Sequence, residues 1–163
     1  MGHEFGERGR FAIEVGRALR GGPEDGIRVV RLWAAGRELS CDDHHVFVPQ
    51  FYRALEADIP SDIPYSSRDL PYPDSSPEEN HQCVRASGYE AHSRYRFMFW
   101  GPTTDNLISY RFTRASNSIL TFEFWRDTHV LAEEIGRVFV SELPTQELSS
   151  ILRQGSHVLR RGE

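Results

Sequence analysis

The chain has 163 residues, 39% hydrophobic and 12% aromatic, with a formal net charge of −5. This length predicts one globular domain over residues 1–163 with a sizeable core. No run of 18 apolar residues occurs, which excludes an apolar membrane-spanning helix, and the charged N-terminus lacks a signal peptide's apolar segment. The two cysteines, Cys41 and Cys83, are too few for a disulfide framework and favour free thiols in the cytoplasm.

The charge is unevenly distributed along the chain. Residues 1–80 carry 15 acids and nine arginines, whereas residues 81–163 carry nine acids and ten arginines. An acidic half disfavours a nucleic-acid ligand and favours a basic protein partner. Ordinary solubility is the alternative explanation.

The first elements along the chain are strands. Apolar and polar residues alternate over 10–16, which predicts a strand. Residues 27–34 are apolar on both faces and predict a central strand. Gly36 then indicates a tight turn before a short strand at 37–40.

A helix is expected next, at 46–58. Apolar residues recur there at helical spacing, and Pro49 suits a first turn because its missing N–H has no intrahelical partner there. Asp42 and Asp43 precede this helix, so they are predicted to cap it or to interact with its dipole.

Residues 60–82 predict a long loop. Positions 60–79 hold five prolines and five serines and show no periodicity. Loops of this length inside a domain are usually functional or disordered. Its acidic residues are candidate contacts for a partner: Asp62, Asp69, Asp74, Glu78 and Glu79.

Residues 95–126 predict a β-meander of three strands. The core face is predicted to consist of Phe97, Phe99, Ile108, Tyr110, Phe112, Leu120, Phe122 and Phe124. The other face is predicted to carry Arg96, Met98, Trp100, Ser109, Arg111, Thr113, Thr121, Glu123 and Trp125. A face of this mixed character is covered either by the 60–82 loop or by a partner.

A last strand at 137–142 and a helix at 144–160 complete the expected elements. The predicted fold class is therefore α+β, with an antiparallel sheet of five to seven strands packed by two helices.

The segment SCDDHH, residues 40–45, holds a cysteine, two aspartates and two histidines, which are residue types that bind metals or take part in catalysis. In an extended segment Cys41, Asp43 and His45 would face one side and are the ligands most able to share a metal ion. A second ligand pair with metal-site spacing is missing, although His81 and Cys83 are candidates to complete a site. We therefore predict no metal and no other cofactor.

Complete catalytic motifs are also missing. The sequence contains no G-x-S-x-G elbow, and without lysine it has no Walker A motif. Arg96, Met98 and Trp100 resemble a base-stacking strand, but the acidic composition argues against nucleic acid. A small enzyme or ligand-binding domain that uses residues 41–45, or a protein-interaction module, remains the alternative.

The order of elements resembles the immunity proteins of bacterial polymorphic-toxin and contact-dependent inhibition systems, in particular the immunity protein 42 family. The resemblance is carried by short motifs and by the apolar stripe of the last helix: Phe11–Glu14, Trp33, Gly36, Asp42–Asp43, Val138, Val140, Leu148 and 151–159. The proline-rich insertion over 60–82 departs from the pattern.

The resemblance implies a cytoplasmic, non-enzymatic protein that neutralises one cognate toxin domain, expected to be basic. Acids of immunity proteins often face the basic sites of nuclease toxins, where close charge pairs contribute to affinity. The candidate partner-binding residues are Asp42, Asp43, Asp62, Asp69, Asp74, Glu78 and Glu79, with Trp100 and Trp125 as aromatic anchors.

Overall fold

A computed structural model describes residues 2–60 and 68–162. Within these residues the chain forms eight strands in two antiparallel sheets and four α-helices. The predicted α+β class with antiparallel pairing is confirmed. The expected numbers, five to seven strands and two helices, were too low.

The first sheet consists of β1 (His3–Glu7), β2 (Phe11–Arg20), β3 (Ile27–Ala34), β4 (Arg37–Glu38) and β5 (His45–Phe47). The strands follow the order β1-β2-β3-β4, and β5 also pairs with β3. A two-residue turn joins β3 to β4, with φ of 49° at Ala35 and 75° at Gly36. Such turns match the twist of antiparallel strands, which explains the glycine.

The second sheet consists of β6 (Leu107–Arg114), β7 (Asn117–Phe124) and β8 (Phe139–Pro144). The predicted first meander strand is wrong, since residues 96–100 contribute only an isolated bridge between Arg96 and Tyr110. Met98 adopts a φ of 59°, which an extended strand does not accommodate. Phe99 consequently faces solvent, 68% exposed, instead of the core.

The predicted faces of the meander are also wrong. Leu120 pairs with Arg111, and Thr121 pairs with Tyr110, so each predicted face mixes residues from both sides. The cause is the two-residue turn between Arg114 and Asn117, which sets the register of β6 and β7. Alternation cannot reveal this register because both faces of β7 are buried.

The helices are α1 (Val48–Asp58), α2 (Pro77–Ala86), α3 (Tyr89–Tyr95) and α4 (Thr145–Arg161). The predicted helices at 46–58 and 144–160 correspond to α1 and α4. The predicted loop over 60–82 is too long, because α2 begins at Pro77. Its capping box explains this start: Ser76 Oγ accepts from the Glu79 N–H, and the Glu79 carboxylate accepts from the Ser76 N–H.

Two apolar clusters lie on opposite sides of the second sheet. The larger contains Ile13 and Leu32 of the first sheet together with Phe122, α1 and α4 residues. The smaller contains Tyr110 and Phe112, and α2 and α3 cover it. None of the helices in the described part of the chain has the length and apolar character needed to cross a membrane.

Candidate functional site

The SCDDHH segment leaves and rejoins the edge of β3. Ser40 Oγ accepts from the Leu32 N–H at 3.0 Å, and the His44 carbonyl accepts from the Val30 N–H at 2.8 Å. Between these two bonds Cys41, Asp42 and Asp43 bulge away from the sheet. These three residues lie between β4 and β5 and belong to neither strand, so the alternation expected of an extended segment does not apply to them.

The predicted helix cap is wrong. Helix α1 has Phe47 as its N-cap residue, without a side-chain hydrogen bond, and β5 separates it from the aspartates. Asp43 Oδ1 instead accepts from the His45 N–H at 2.8 Å and closes a local turn. Pro49 does lie in the first turn of the helix, as predicted.

The bulge faces the segment that follows β7. This segment is organised by Asn106, whose carbonyl accepts from the Trp125 N–H and whose Oδ1 accepts from the Arg126 N–H. The Asn106 amide nitrogen lies 3.0 Å from His129 Nδ1. His129 also stacks on Phe124, with ring centroids 3.9 Å apart. The sequence of 127–136 has no periodicity and therefore predicts neither a helix nor a strand there.

Cys41, Asp42 and His129 meet at this point, and we call them the corner cluster. Cys41 Sγ lies 3.8 Å from His129 Nδ1 and 3.8 Å from Asp42 Oδ1. One potential metal-binding atom from each of the three residues lies within 4.8 Å of the others. Burial and the Asp42 charge raise the pKa of Cys41 to about 11.

Charged groups surround the corner cluster. Glu134 Oε2 lies 3.3 Å from His129 Nε2, and Arg37 holds the same carboxylate at 2.9 Å. Arg126 lies between two acids, 3.4 Å from Asp42 and 3.7 Å from Asp105. The cluster is therefore tied to both sheets, because Arg37 belongs to β4 and Asp105 lies two residues before β6.

Exposed apolar side chains lie on the same segment. Trp125 is 51% exposed, Val130 65% and Leu131 46%, so three of the eight large apolar side chains exposed among the described residues fall within 125–131. The Trp125 indole is fixed by a 2.7 Å bond from Nε1 to the Asp105 carbonyl. We call these three residues the corner patch. Asp42 and Asp105 pair with Arg126, the neighbour of Trp125, and Asp127 and Glu133 are acids of the same chain segment.

Trp100 is unavailable as a partner anchor, contrary to prediction. It is 2% exposed, and its Nε1 donates to Asp58 Oδ2 at 2.8 Å. The Met98 N–H donates to the same oxygen at 3.0 Å. Burial raises the pKa of Asp58, and Arg68 and Arg111 oppose that rise.

The other predicted acids are distributed away from the corner. Asp69 accepts from Thr113 Oγ1 on β6, and Asp74, Glu78 and Glu79 are exposed around the start of α2, on the face of the second sheet opposite Phe124. Asp62 lies outside the described residues. Of the residues predicted to bind the partner, the structure brings Asp42 and Trp125 together. Arg126 lies between them, since its guanidinium contacts the Asp42 carboxylate and the Trp125 ring.

A second polar group is buried beneath α2. His81 is fully buried, and its Nδ1 lies 2.9 Å from Thr121 Oγ1. Burial, and to a smaller extent the positive charge of Arg85, lowers the pKa of His81 to about 4. Glu123 forms an ion pair with Arg85 at 2.7 Å. His81 therefore does not join Cys83, which is exposed, in a metal site.

Comparisons with known protein families, with curated proteins and with solved structures find no match to this chain.

Proposed function

We propose that this protein is a non-enzymatic immunity protein of the cytoplasm, which binds a cognate bacterial toxin domain and neutralises it. The observation that carries the proposal is the corner patch, three exposed apolar residues on one short segment that also carries acids. Grouped exposed apolar residues with a polar rim are typical of protein-binding surfaces. The family resemblance of the sequence supplies the class of partner.

Trp125 is the expected anchor of the interface. Its ring is already held by the bond to Asp105, so little side-chain freedom is lost on binding. A tryptophan offers roughly 250 Å² of surface, of which 51% is exposed in this position. At about 25 cal/mol per Å², covering that surface contributes up to about 3 kcal/mol, which corresponds to roughly 100-fold in affinity.

The acids are expected to act on the rate of association. Asp42 and Asp105, which pair with Arg126, and Asp127 and Glu133 on the same segment would attract a basic toxin surface. Because such attraction is screened by ions, association should slow as salt is raised. Reversing the charge of Asp127 and Glu133 should slow association while leaving the melting temperature almost unchanged.

The test is co-expression of the toxin domain encoded beside this gene in a sensitive host, with and without this protein. Wild type should protect the host, Trp125→Ala should protect poorly, and Tyr89→Ala should protect fully. Tyr89 is the matched control because it is an exposed aromatic residue, 81% accessible, on α3. Equal killing with and without the protein, with no complex between the purified proteins at low salt, would refute the proposal.

A further inference from the structure

Two of the three distances within the corner cluster are close to those found around a tetrahedral metal ion. With a zinc–sulfur bond of about 2.3 Å and a zinc–nitrogen bond of about 2.05 Å, a tetrahedral angle places sulfur and nitrogen roughly 3.6 Å apart. The observed separation of Cys41 Sγ from His129 Nδ1 is 3.8 Å, and that of Cys41 Sγ from Asp42 Oδ1 is also 3.8 Å. The ligand atoms of Asp42 and His129 lie within 4.8 Å of each other, so these two side chains must move closer together to share one ion.

The hydrogen-bond partners of His129 also suit a metal ligand. Asn106 Oδ1 accepts from the Arg126 N–H, so the amide nitrogen of Asn106 is the group that faces His129 Nδ1 and donates to it. Nδ1 is therefore an acceptor with a lone pair, and the ring proton lies on Nε2, 3.3 Å from Glu134. A carboxylate on the second nitrogen is the usual way in which proteins orient a metal-binding histidine.

The supporting contacts hold this histidine in place before any ion binds. Phe124 stacks on the ring with planes 14° apart, and the side chain of His129 is 3% exposed. Arg37 fixes Glu134, and Ser40 fixes the strand edge from which Cys41 projects. Preorganised ligands of this kind reduce the cost of binding.

We propose that Cys41, Asp42 and His129 bind one zinc ion, with water in the fourth position. Zinc suits a set of one thiolate, one carboxylate and one imidazole, and three protein ligands with one open position are typical of an accessible site. Binding releases the thiol proton of Cys41 to solvent and forms the sulfur–metal bond. This inference depends only on the side-chain geometry and not on the proposed toxin partner.

This site differs from the ligand set that alternation predicts. Asp43 is engaged by the His45 N–H, and the His45 side chain is 64% exposed, so neither residue faces Cys41. The ion must displace two existing contacts, the Asn106 N–H from His129 and Arg126 from Asp42. Asn106→Asp keeps the acceptor for the Arg126 N–H and replaces the competing donor with an oxygen ligand. It should therefore tighten binding at least tenfold.

The test is titration of metal-free, reduced protein with Co²⁺ as a spectroscopic probe, followed by displacement with Zn²⁺. Wild type should develop a sulfur-to-cobalt charge-transfer band and tetrahedral visible bands that saturate at one equivalent. Cys41→Ser should lose the charge-transfer band, and Asp42→Asn and His129→Gln should weaken binding at least tenfold. Cys83→Ser and His45→Gln are the matched controls and should behave as wild type.

A second measurement keeps the test decisive if His129→Gln unfolds. Zn²⁺ should raise the melting temperature of wild type and of Trp125→Ala, but not that of Cys41→Ser. Absence of the charge-transfer band in wild type, or its persistence in Cys41→Ser, would overturn the site. Trp125→Ala separates the two proposals, because it removes the toxin anchor and leaves all three ligands intact.

Discussion

Asp58 is expected to stabilise the fold by holding the segment that contains Trp100. Its Oδ2 accepts from the Trp100 indole and from the Met98 N–H, and both of these residues are 2% exposed. Asp58→Ala leaves both donors without this acceptor, and each unsatisfied buried donor costs about 1–3 kcal/mol. The carboxylate is itself unfavourably desolvated and ends a helix, so its removal offsets part of this loss. The net destabilisation should be about 2–4 kcal/mol.

The assay for this prediction is urea unfolding followed by circular dichroism, with the near-ultraviolet signal as a measure of tryptophan packing. Asp58→Asn retains an acceptor oxygen but loses the charge that faces Arg68 and Arg111, so it should fall between wild type and Asp58→Ala. Asp74→Ala is the control, because Asp74 is exposed. If Asp58→Ala proved no more costly than Asp74→Ala, the carboxylate would not be what holds Trp100 in the core.

Three further predictions concern the rest of the molecule. The pKa of His81 falls from its ordinary 6.5 to about 4 on folding, so the unfolded chain binds the proton more readily than the folded chain. The free energy of unfolding should therefore be about 3 kcal/mol lower near pH 4 than above pH 6.5 because of this one residue. The difference in free energy of unfolding between wild type and His81→Gln should therefore change between pH 6.5 and pH 4. A difference that does not vary with pH would contradict this prediction. Gly6→Ala should lower the melting temperature more than Gly36→Ala. Both glycines have positive φ, but only at Gly6 would a Cβ overlap the Phe11 carbonyl, and equal losses would refute the steric argument. Phe122→Ala should cost about 3–5 kcal/mol in urea unfolding and Phe99→Ala under about 1, because Phe122 is fully buried and Phe99 is 68% exposed; similar costs would contradict the burial of Phe122 and the exposure of Phe99.

Local patterns in the sequence determined several elements correctly. The strand at Ile27–Ala34 and the turn at Gly36 follow from apolar content and from the backbone freedom of glycine. Helices α1 and α4 follow from apolar spacing and from a proline near each start, Pro49 in the first turn of α1 and Pro144 as the N-cap residue of α4. These features depend on residues within a few positions of each other, so no knowledge of distant contacts was needed.

Tertiary structure alone decided the faces of the second sheet. Tyr110 and Leu120 were predicted to share a face, but the β6–β7 turn places them in separate apolar clusters. Because α2 covers one side of β7 and the main core covers the other, polar residues such as Glu123 are buried beside aromatic ones. Alternation then no longer distinguishes inside from outside.

The corner cluster likewise could not be predicted from sequence. Cys41 and Asp42 were recognised as reactive, but their third member, His129, lies 87 positions beyond Asp42 in a turn without periodicity. The three residues meet because of two contacts. The Ser40 hydroxyl, in place of a backbone carbonyl, accepts from the Leu32 N–H at the start of the bulge along β3, and Asn106 anchors the 125–136 segment by accepting from the Arg126 N–H. The sequence by itself determined which residue types were available for chemistry. The packing of two sheets against each other decided which of them meet, because contacts between distant segments depend on how whole elements pack.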